Sequence, residues 1–184
     1  SRREIHLGLA RHIENLYKNP RREQVLLLAK HYDGAGELVD ADTAARAFLR
    51  AVRIYVRGLE HNLAKYYIEK TLVRAKEIPD DATRVTRLRE VFEAEYSIHA
   101  AQGNLVAASD VCQQLIAITE DAAKKELLKT FWAQLLLALG RQVKAHAQSV
   151  EVLAAHGGEP ATAFEDWIAG DRKSTRLNSS HANI

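Results

Sequence analysis

Regularly spaced helix breakers constrain this chain more than any other feature of its sequence. The breaks lie at Pro20, Gly34, Gly36, Pro79, Gly103, Gly140, Gly157, Gly158 and Pro160. Between them apolar residues recur every three or four positions, as at Ile5, Leu9, Ile13 and Leu16, which is the spacing of an amphipathic helix. No long segment alternates as a strand would. The sequence therefore predicts an all-α fold with helices at 3–18, 21–34, 41–58, 60–77, 82–102, 105–118, 121–139, 142–156 and from about residue 160.

The short connections between these helices limit how they can pack. Helices joined by a few residues pack as antiparallel neighbours. This arrangement is shared by closed bundles and by solenoids, and a solenoid differs because one packing signature returns at a fixed period.

One such signature recurs along the chain. Ala44, Phe48 and Ala51 follow a small, large, small spacing, and Gly103 and Gly140 are 37 residues apart. This pattern resembles the tetratricopeptide repeat (TPR), whose period is about 34 residues. The residues that carry the resemblance are Leu28, Ala29, Tyr32, Ala44, Phe48, Ala51, Ala64, Ile68, Ala108, Cys112 and Ala145. It implies a right-handed α-solenoid of antiparallel helix pairs, truncated at both ends, with a plain helical bundle as the alternative.

The first two helices carry a narrower resemblance. Arg3 and His6 form an R-x-x-H segment, and residues 28–36 read L-A-x-H-Y-x-x-A-G. This is similar to the junction after the ATPase module of large signalling ATPases, including those linked to adenylate-cyclase-type domains or transcriptional regulators. The resemblance implies a nucleotide-binding module upstream of Ser1, because this chain has no G-x-x-x-x-G-K-(S/T) loop.

The expected organisation is one helical-repeat fragment followed by a foreign tail. Its parts are junction helices at 1–36, first repeats at 37–80, later repeats at 81–156, a truncated repeat at 157–170 and a tail at 171–184. The tail resembles translated sequencing-library adapter and is expected to be irregular, because its Ser-rich and Asn-rich composition offers little to bury. A truncated repeat lacks its packing neighbour, so Phe164 and Trp167 are expected to be partly exposed.

Net charge depends on that tail. The full chain has 26 Lys and Arg against 24 Asp and Glu, and the tail holds three of the basic residues and one of the acidic ones, which leaves residues 1–170 neutral. A neutral fragment does not favour nucleic acid or an anionic membrane as a partner. No apolar run approaches the roughly 18 residues of a membrane span.

The clearest candidate for partner binding is a row of arginines. Arg46, Arg50, Arg53 and Arg57 are spaced to share one face of a helix, although such a row is also typical of a solvated surface. Arginine pairs with carboxylates through two parallel hydrogen bonds. The row therefore suits an acidic peptide or an acidic face of another domain of the same parent chain.

The ionisable residues form no catalytic or metal-binding constellation. The eight histidines include no H-x-x-x-H or H-E-x-x-H pair, and His31 is predicted to serve packing and hydrogen bonding. The acidic pairs Asp40/Asp42 and Asp80/Asp81 lie at the starts of predicted helices, which favours helix capping over acid–base chemistry or Mg²⁺ binding. Cys112 is the only cysteine, which excludes an intrachain disulfide. It is expected to be a buried packing residue of a cytoplasmic protein.

These observations favour a scaffold or sensor segment that binds a protein or peptide, within a larger signalling or regulatory ATPase. Neither catalysis nor a cofactor is expected in this fragment. Two alternatives remain, a compact helical-bundle enzyme domain and a segment of a DNA-binding regulator.

Overall fold

The computed structural model describes residues 1–155, except for the side chains of residues 142 and 143, and all regular structure in that range is helical. The α-helices are α1 (Arg2–Leu16), α2 (Arg22–Ala35), α3 (Ala41–Arg57), α4 (His61–Lys76), α5 (Asp81–Ala101), α6 (Leu105–Ile118), α7 (Ala122–Ala138) and α8 (Gln142–Ala155), with a short 3-10 helix at Gly36–Leu38. The all-α prediction is confirmed, and each predicted helix within residues 1–155 ends within two residues of its predicted bounds. The predicted helix with Phe164 and Trp167, and the tail at 171–184, lie outside the described residues.

Three helices begin with the same aspartate cap. The side chains of Asp40, Asp80 and Asp121 each accept a hydrogen bond from the backbone N–H three residues later, at the starts of α3, α5 and α7. Such a cap satisfies one of the free N–H groups at a helix start. The three aspartates are 40 and 41 residues apart, so the same helix start returns at a nearly constant interval.

The same three helices also share one kind of end. After α3, α5 and α7, the residue just past the cap has a left-handed backbone, with φ of 59° at Leu59, 68° at Gly103 and 69° at Gly140. In each turn the next backbone N–H donates five residues back, to Tyr55 O, His99 O and Leu136 O respectively. This is the Schellman arrangement, which favours glycine because a side chain strains the left-handed conformation. The leucine at position 59 adopts it nonetheless.

The described helices divide between two compact units, Ser1–Glu120 and Asp121–Ile184. In the first unit consecutive helices pack as hairpins, α1 with α2, α3 with α4 and α5 with α6. α5 also packs against both helices of the hairpin before it. Ala45, Ala75 and Ile78 form a buried cluster there, and Ala41 and Leu88 cover it. The small side chains allow the start of α3 and the end of α4 to approach the first half of α5.

Aromatic side chains fill the α3–α4 hairpin. Phe48 is 2% exposed and its ring lies 5.7 Å from that of Tyr67. Tyr67 also stacks on Tyr55 at 5.8 Å and meets the edge of Tyr66 at 5.1 Å. Burial raises the pKa of Tyr67 to about 12, so its hydroxyl stays protonated at neutral pH. Offset and tilted ring pairs of this kind stabilise a core beyond the area they bury.

The second unit contains the α7–α8 hairpin. Ala133 and Leu136 on α7 and Ala145 on α8 are buried. Lys129 ties the two helices together, because its ammonium group lies 3.0 Å from Glu126 on α7 and 2.7 Å from Glu151 on α8. The hairpin is therefore held together by a small apolar contact between α7 and α8 and by the ion pairs of Lys129.

Candidate functional site

The predicted arginine row lies on the solvent-facing side of α3. Asp40 starts this helix by accepting from Thr43 N at 2.9 Å, and a run of small and apolar residues buries the opposite side. The buried residues of α3 are Ala44, Ala45, Ala47, Phe48, Leu49, Ala51 and Val52. Arg46, Arg50, Arg53 and Arg57 are all exposed, as their helical spacing predicts.

Two of these four arginines are held in an ionic network between α3 and α5. Arg46 pairs with Asp42 at 3.2 Å, and Arg53 pairs with Glu90 at 3.0 Å. Arg87 on α5 joins the two pairs, with 2.7 Å to Asp42 and 2.8 Å to Glu90. Its hydrogen bond to Asp42 raises the pKa of the Arg87 guanidinium further. Arg53 therefore helps to hold α5 on α3, whereas Arg46 pairs within α3 and shares Asp42 with Arg87.

The other two arginines border a groove beside α2. The groove has a volume of about 460 Å³ and is lined by side chains of Arg22, Val25, Arg50, Arg53, Ile54 and Arg57, among others. Among the residues that the structure describes, no carboxylate oxygen lies within 4 Å of Arg50 or Arg57. Arg22, in contrast, pairs with Glu60 at 2.8 Å. The arginine row thus contains two ion-paired residues, Arg46 and Arg53, and two residues without a carboxylate partner in the described part of the chain, Arg50 and Arg57.

All residues of the predicted packing signature are buried. The exposed fractions range from 0% to 4% for Leu28, Ala29, Tyr32, Ala44, Phe48, Ala51, Ala64, Ile68, Ala108, Cys112 and Ala145. Burial raises the pKa of the Cys112 thiol to about 11. A thiol with that pKa is almost fully protonated at neutral pH, which does not suit a nucleophile.

The aspartates ahead of the helices act as caps. Asp40 accepts from Thr43 N and Asp80 accepts from Thr83 N at 2.8 Å. The bond from Thr43 N lowers the pKa of the Asp40 carboxyl group, and hydrogen bonds from the side chain and then the N–H of Thr83 lower the pKa of Asp80. The capping interpretation is confirmed for Asp40 and Asp80. Asp42 and Asp81 instead pair with arginines, because they lie one or two residues inside the helices. Within residues 1–155, no group of three or more His, Cys, Asp or Glu side chains is arranged to hold a metal ion.

A histidine pair joins α1 to α2. The Nδ1 atoms of His6 and His31 lie 2.9 Å apart, and their ring centroids are 5.2 Å apart. One ring must donate to the other, so at least one of the two is neutral. Burial, and then the nearby charges of His6 and Lys30, lower the pKa of His31 below 6.5. No local spacing in the sequence signals this contact, because it depends on how α1 packs on α2.

We expect the histidine pair to make the first hairpin less stable in acid. The folded-state pKa of His31 is lower than its unfolded value near 6.5, so the unfolded chain binds the proton more readily. Stability is then complete above about pH 6.5 and is lost as the pH falls through the folded-state pKa. Urea unfolding should show a larger loss between about pH 7.5 and about pH 5 for the wild type than for His31→Gln.

An exposed histidine on α1 provides the control for this experiment. His12→Gln should keep the pH dependence of the wild type, because His12 is exposed. If His31→Gln lost as much stability on acidification as the wild type, the His6–His31 contact would not be the source of the effect.

Comparison with known proteins adds no assignment. Over residues 1–155 none of the helices combines the length and the apolar character needed to cross a bilayer. The chain matches no protein-family model, no curated protein and no solved structure.

Proposed function

We propose that this chain is a TPR-like α-solenoid segment that binds a protein or peptide and performs no catalysis. The observation that carries the proposal is the recurrence of one hairpin design. The first helix begins at an aspartate cap (Asp40, Asp80, Asp121) and ends in a Schellman turn, and a second helix returns alongside. The interval of 40 and 41 residues is longer than the TPR period of about 34.

The packing of the first unit supports a stack of such hairpins. In a solenoid each repeat buries its core against the adjacent repeat, and α5 packs on both α3 and α4. The α3–α5 contact, held by Arg87, places the first helices of two successive hairpins side by side. Side-by-side first helices form a continuous surface, which is how repeat proteins bind extended partners.

The parent protein is proposed to be a cytoplasmic signalling or regulatory ATPase, in which these repeats sense a partner. The support is the resemblance of residues 3–36 to the junction that follows an ATPase module. The histidines of its two motif segments, His6 and His31, contact each other. Both segments therefore belong to one hairpin, α1 with α2.

Panning a random peptide library against the folded chain tests the binding proposal. We expect a family of related peptides that bind the native state. Such a ligand stabilises the protein, by about 2.7 kcal/mol when its concentration is 100 times its Kd. Urea unfolding with and without the synthetic peptide measures this gain. Peptides that are not enriched, or that leave the unfolding midpoint unchanged, would contradict the proposal.

A further inference from the structure

We propose that the groove between the start of α2 and the second half of α3 binds an extended acidic segment of a partner protein. Arg50 and Arg57 would each pair with one carboxylate. This inference rests on the proposed function and names the chemistry of the partner and the residues that hold it.

The pairing state of the arginines around the groove carries the first step. Arg22 and Arg53 are held by Glu60 and Glu90, at 2.8 and 3.0 Å. Arg50 and Arg57 are exposed, and in the described part of the chain no carboxylate comes within 4 Å of either. An unpaired guanidinium offers a planar fork that matches a carboxylate. The groove therefore has two open positions for carboxylates.

The spacing of these two arginines fixes the spacing of the acids. Seven residues along a helix correspond to about 10 Å. Side chains on one face of an extended peptide lie about 7 Å apart at i and i+2 and about 13 Å apart at i and i+4. The wider spacing suits two long arginine side chains that approach the ligand from one helix. The expected ligand has acidic residues at i and i+4.

The floor of the groove supplies the remaining specificity. Val25 on α2 is 5% exposed and Ile54 on α3 is half-buried, and both line the groove together with the arginines. In an extended ligand the residue at i+2 shares a face with the two acids and would contact this apolar floor. The predicted motif is acidic, any, apolar, any, acidic. The groove also lies at the start of α2, where the partial positive charge of the helix end favours an anion.

The same surface does not suit a nucleic acid. Single strands are held by rows of unpaired cations and by aromatic side chains on which bases stack. Glu60 and Glu90 neutralise two of the four arginines, and none of the described side chains that line the groove is aromatic. Two open guanidinium groups beside an apolar floor fit a short acidic peptide better than a phosphate backbone.

Fluorescence anisotropy at low salt with a defined probe tests the inference. The probe is a labelled peptide with the core Asp-Ser-Leu-Ser-Asp, and the comparison peptide has Asn in place of both Asp residues. The double variant Arg50→Gln/Arg57→Gln is expected to bind the aspartate probe with an affinity at least about tenfold lower than that of the wild type. The wild type should also bind the Asn peptide at least about tenfold more weakly than the aspartate probe.

A matched variant separates the groove from general charge attraction. Arg2→Gln/Arg89→Gln removes the same charge at two arginines of the same unit that do not line the groove, and it should bind within about twofold of the wild type. Circular dichroism melting checks that both double variants are folded, as expected because Arg2, Arg50 and Arg57 are exposed and Arg89 is only half-buried.

Four results would overturn the inference. They are no binding of the aspartate probe at about 1 mM, equal binding of the Asn peptide, equal loss in both double variants, or tighter binding of single-stranded DNA that Arg50→Gln/Arg57→Gln abolishes. The proposed function fails separately, when library peptides leave the stability unchanged. Enriched peptides that bind without Arg50 and Arg57 would keep the scaffold and place its binding site elsewhere.

Discussion

Replacing Phe48 by alanine is expected to lower the free energy of unfolding of the first unit by about 3 to 5 kcal/mol. The ring is 2% exposed and lies 5.7 Å from Tyr67, the buried centre of the aromatic group in the α3–α4 hairpin. Its removal leaves a cavity and also ends a ring pair that contributes about 0.5 to 1.5 kcal/mol beyond burial. Urea unfolding followed by circular dichroism measures the total loss. Hydrogen exchange of α3 and α4 should accelerate by about two to four orders of magnitude.

The same substitution at an exposed ring provides the control. Phe131 is 44% exposed, so Phe131→Ala should cost less than about 1 kcal/mol. The α3–α4 hairpin would not depend on its aromatic group if Phe48→Ala cost no more than Phe131→Ala.

Helix number and helix bounds could be predicted because their signals are local. Gly103 and Gly140 end α5 and α7 in left-handed turns, and Asp40 and Asp80 cap the helices that follow them. Each of these effects acts within a few residues of its cause. Asp121 caps a third helix in the same way. The even spacing of the three aspartates is a repeat signal in the sequence that the TPR signature does not include.

The choice of packing partner could not be predicted in the same way. In the resemblance to TPRs, Leu28, Ala29 and Tyr32 match the first helix of a repeat, and Ala44, Phe48 and Ala51 match its second. That match would make α2 and α3 the two helices of one repeat. The structure does pack α2 against α3, yet each packs more extensively on another helix, α1 and α4 respectively. A small, large, small spacing marks a buried helix face without stating which neighbour covers it. In the structure the ring of Phe48 contacts Tyr67 on α4, and the spacing of residues along α3 does not reveal this contact.

The candidate site shows the same limit more sharply. Arg46, Arg50, Arg53 and Arg57 are equivalent by spacing, yet Arg46 pairs with Asp42 on its own helix and Arg53 pairs with Glu90 on α5. Glu90 lies 37 residues after Arg53, and Arg87 lies 45 residues after Asp42. These ion pairs form because α5 packs on α3, which is a tertiary contact. The sequence could place the row on one helix face, but it could not show that Arg53 pairs with α5 while Arg50 and Arg57 have no carboxylate partner among the described residues.

Enlarging a small residue in the interior of α6 should also be costly. Ala108 is 0% exposed and lies on the helix that packs against α5. Leucine at this position adds three carbon atoms where no space is open, and overpacking of this kind costs about 1 to 3 kcal/mol. We expect Ala108→Leu to lower the urea midpoint and to speed hydrogen exchange in both α5 and α6.

The matched control lies on the same helix. Ala117 is exposed, so Ala117→Leu makes the same change in volume and helix propensity with no buried neighbour to displace. Its stability should stay within about 0.5 kcal/mol of the wild type. The comparison isolates packing, because leucine and alanine are both good helix formers. Equal stability of the two variants would mean that α6 lies against α5 loosely, and the small residues of the repeat signature would then have no role in bringing the helices together.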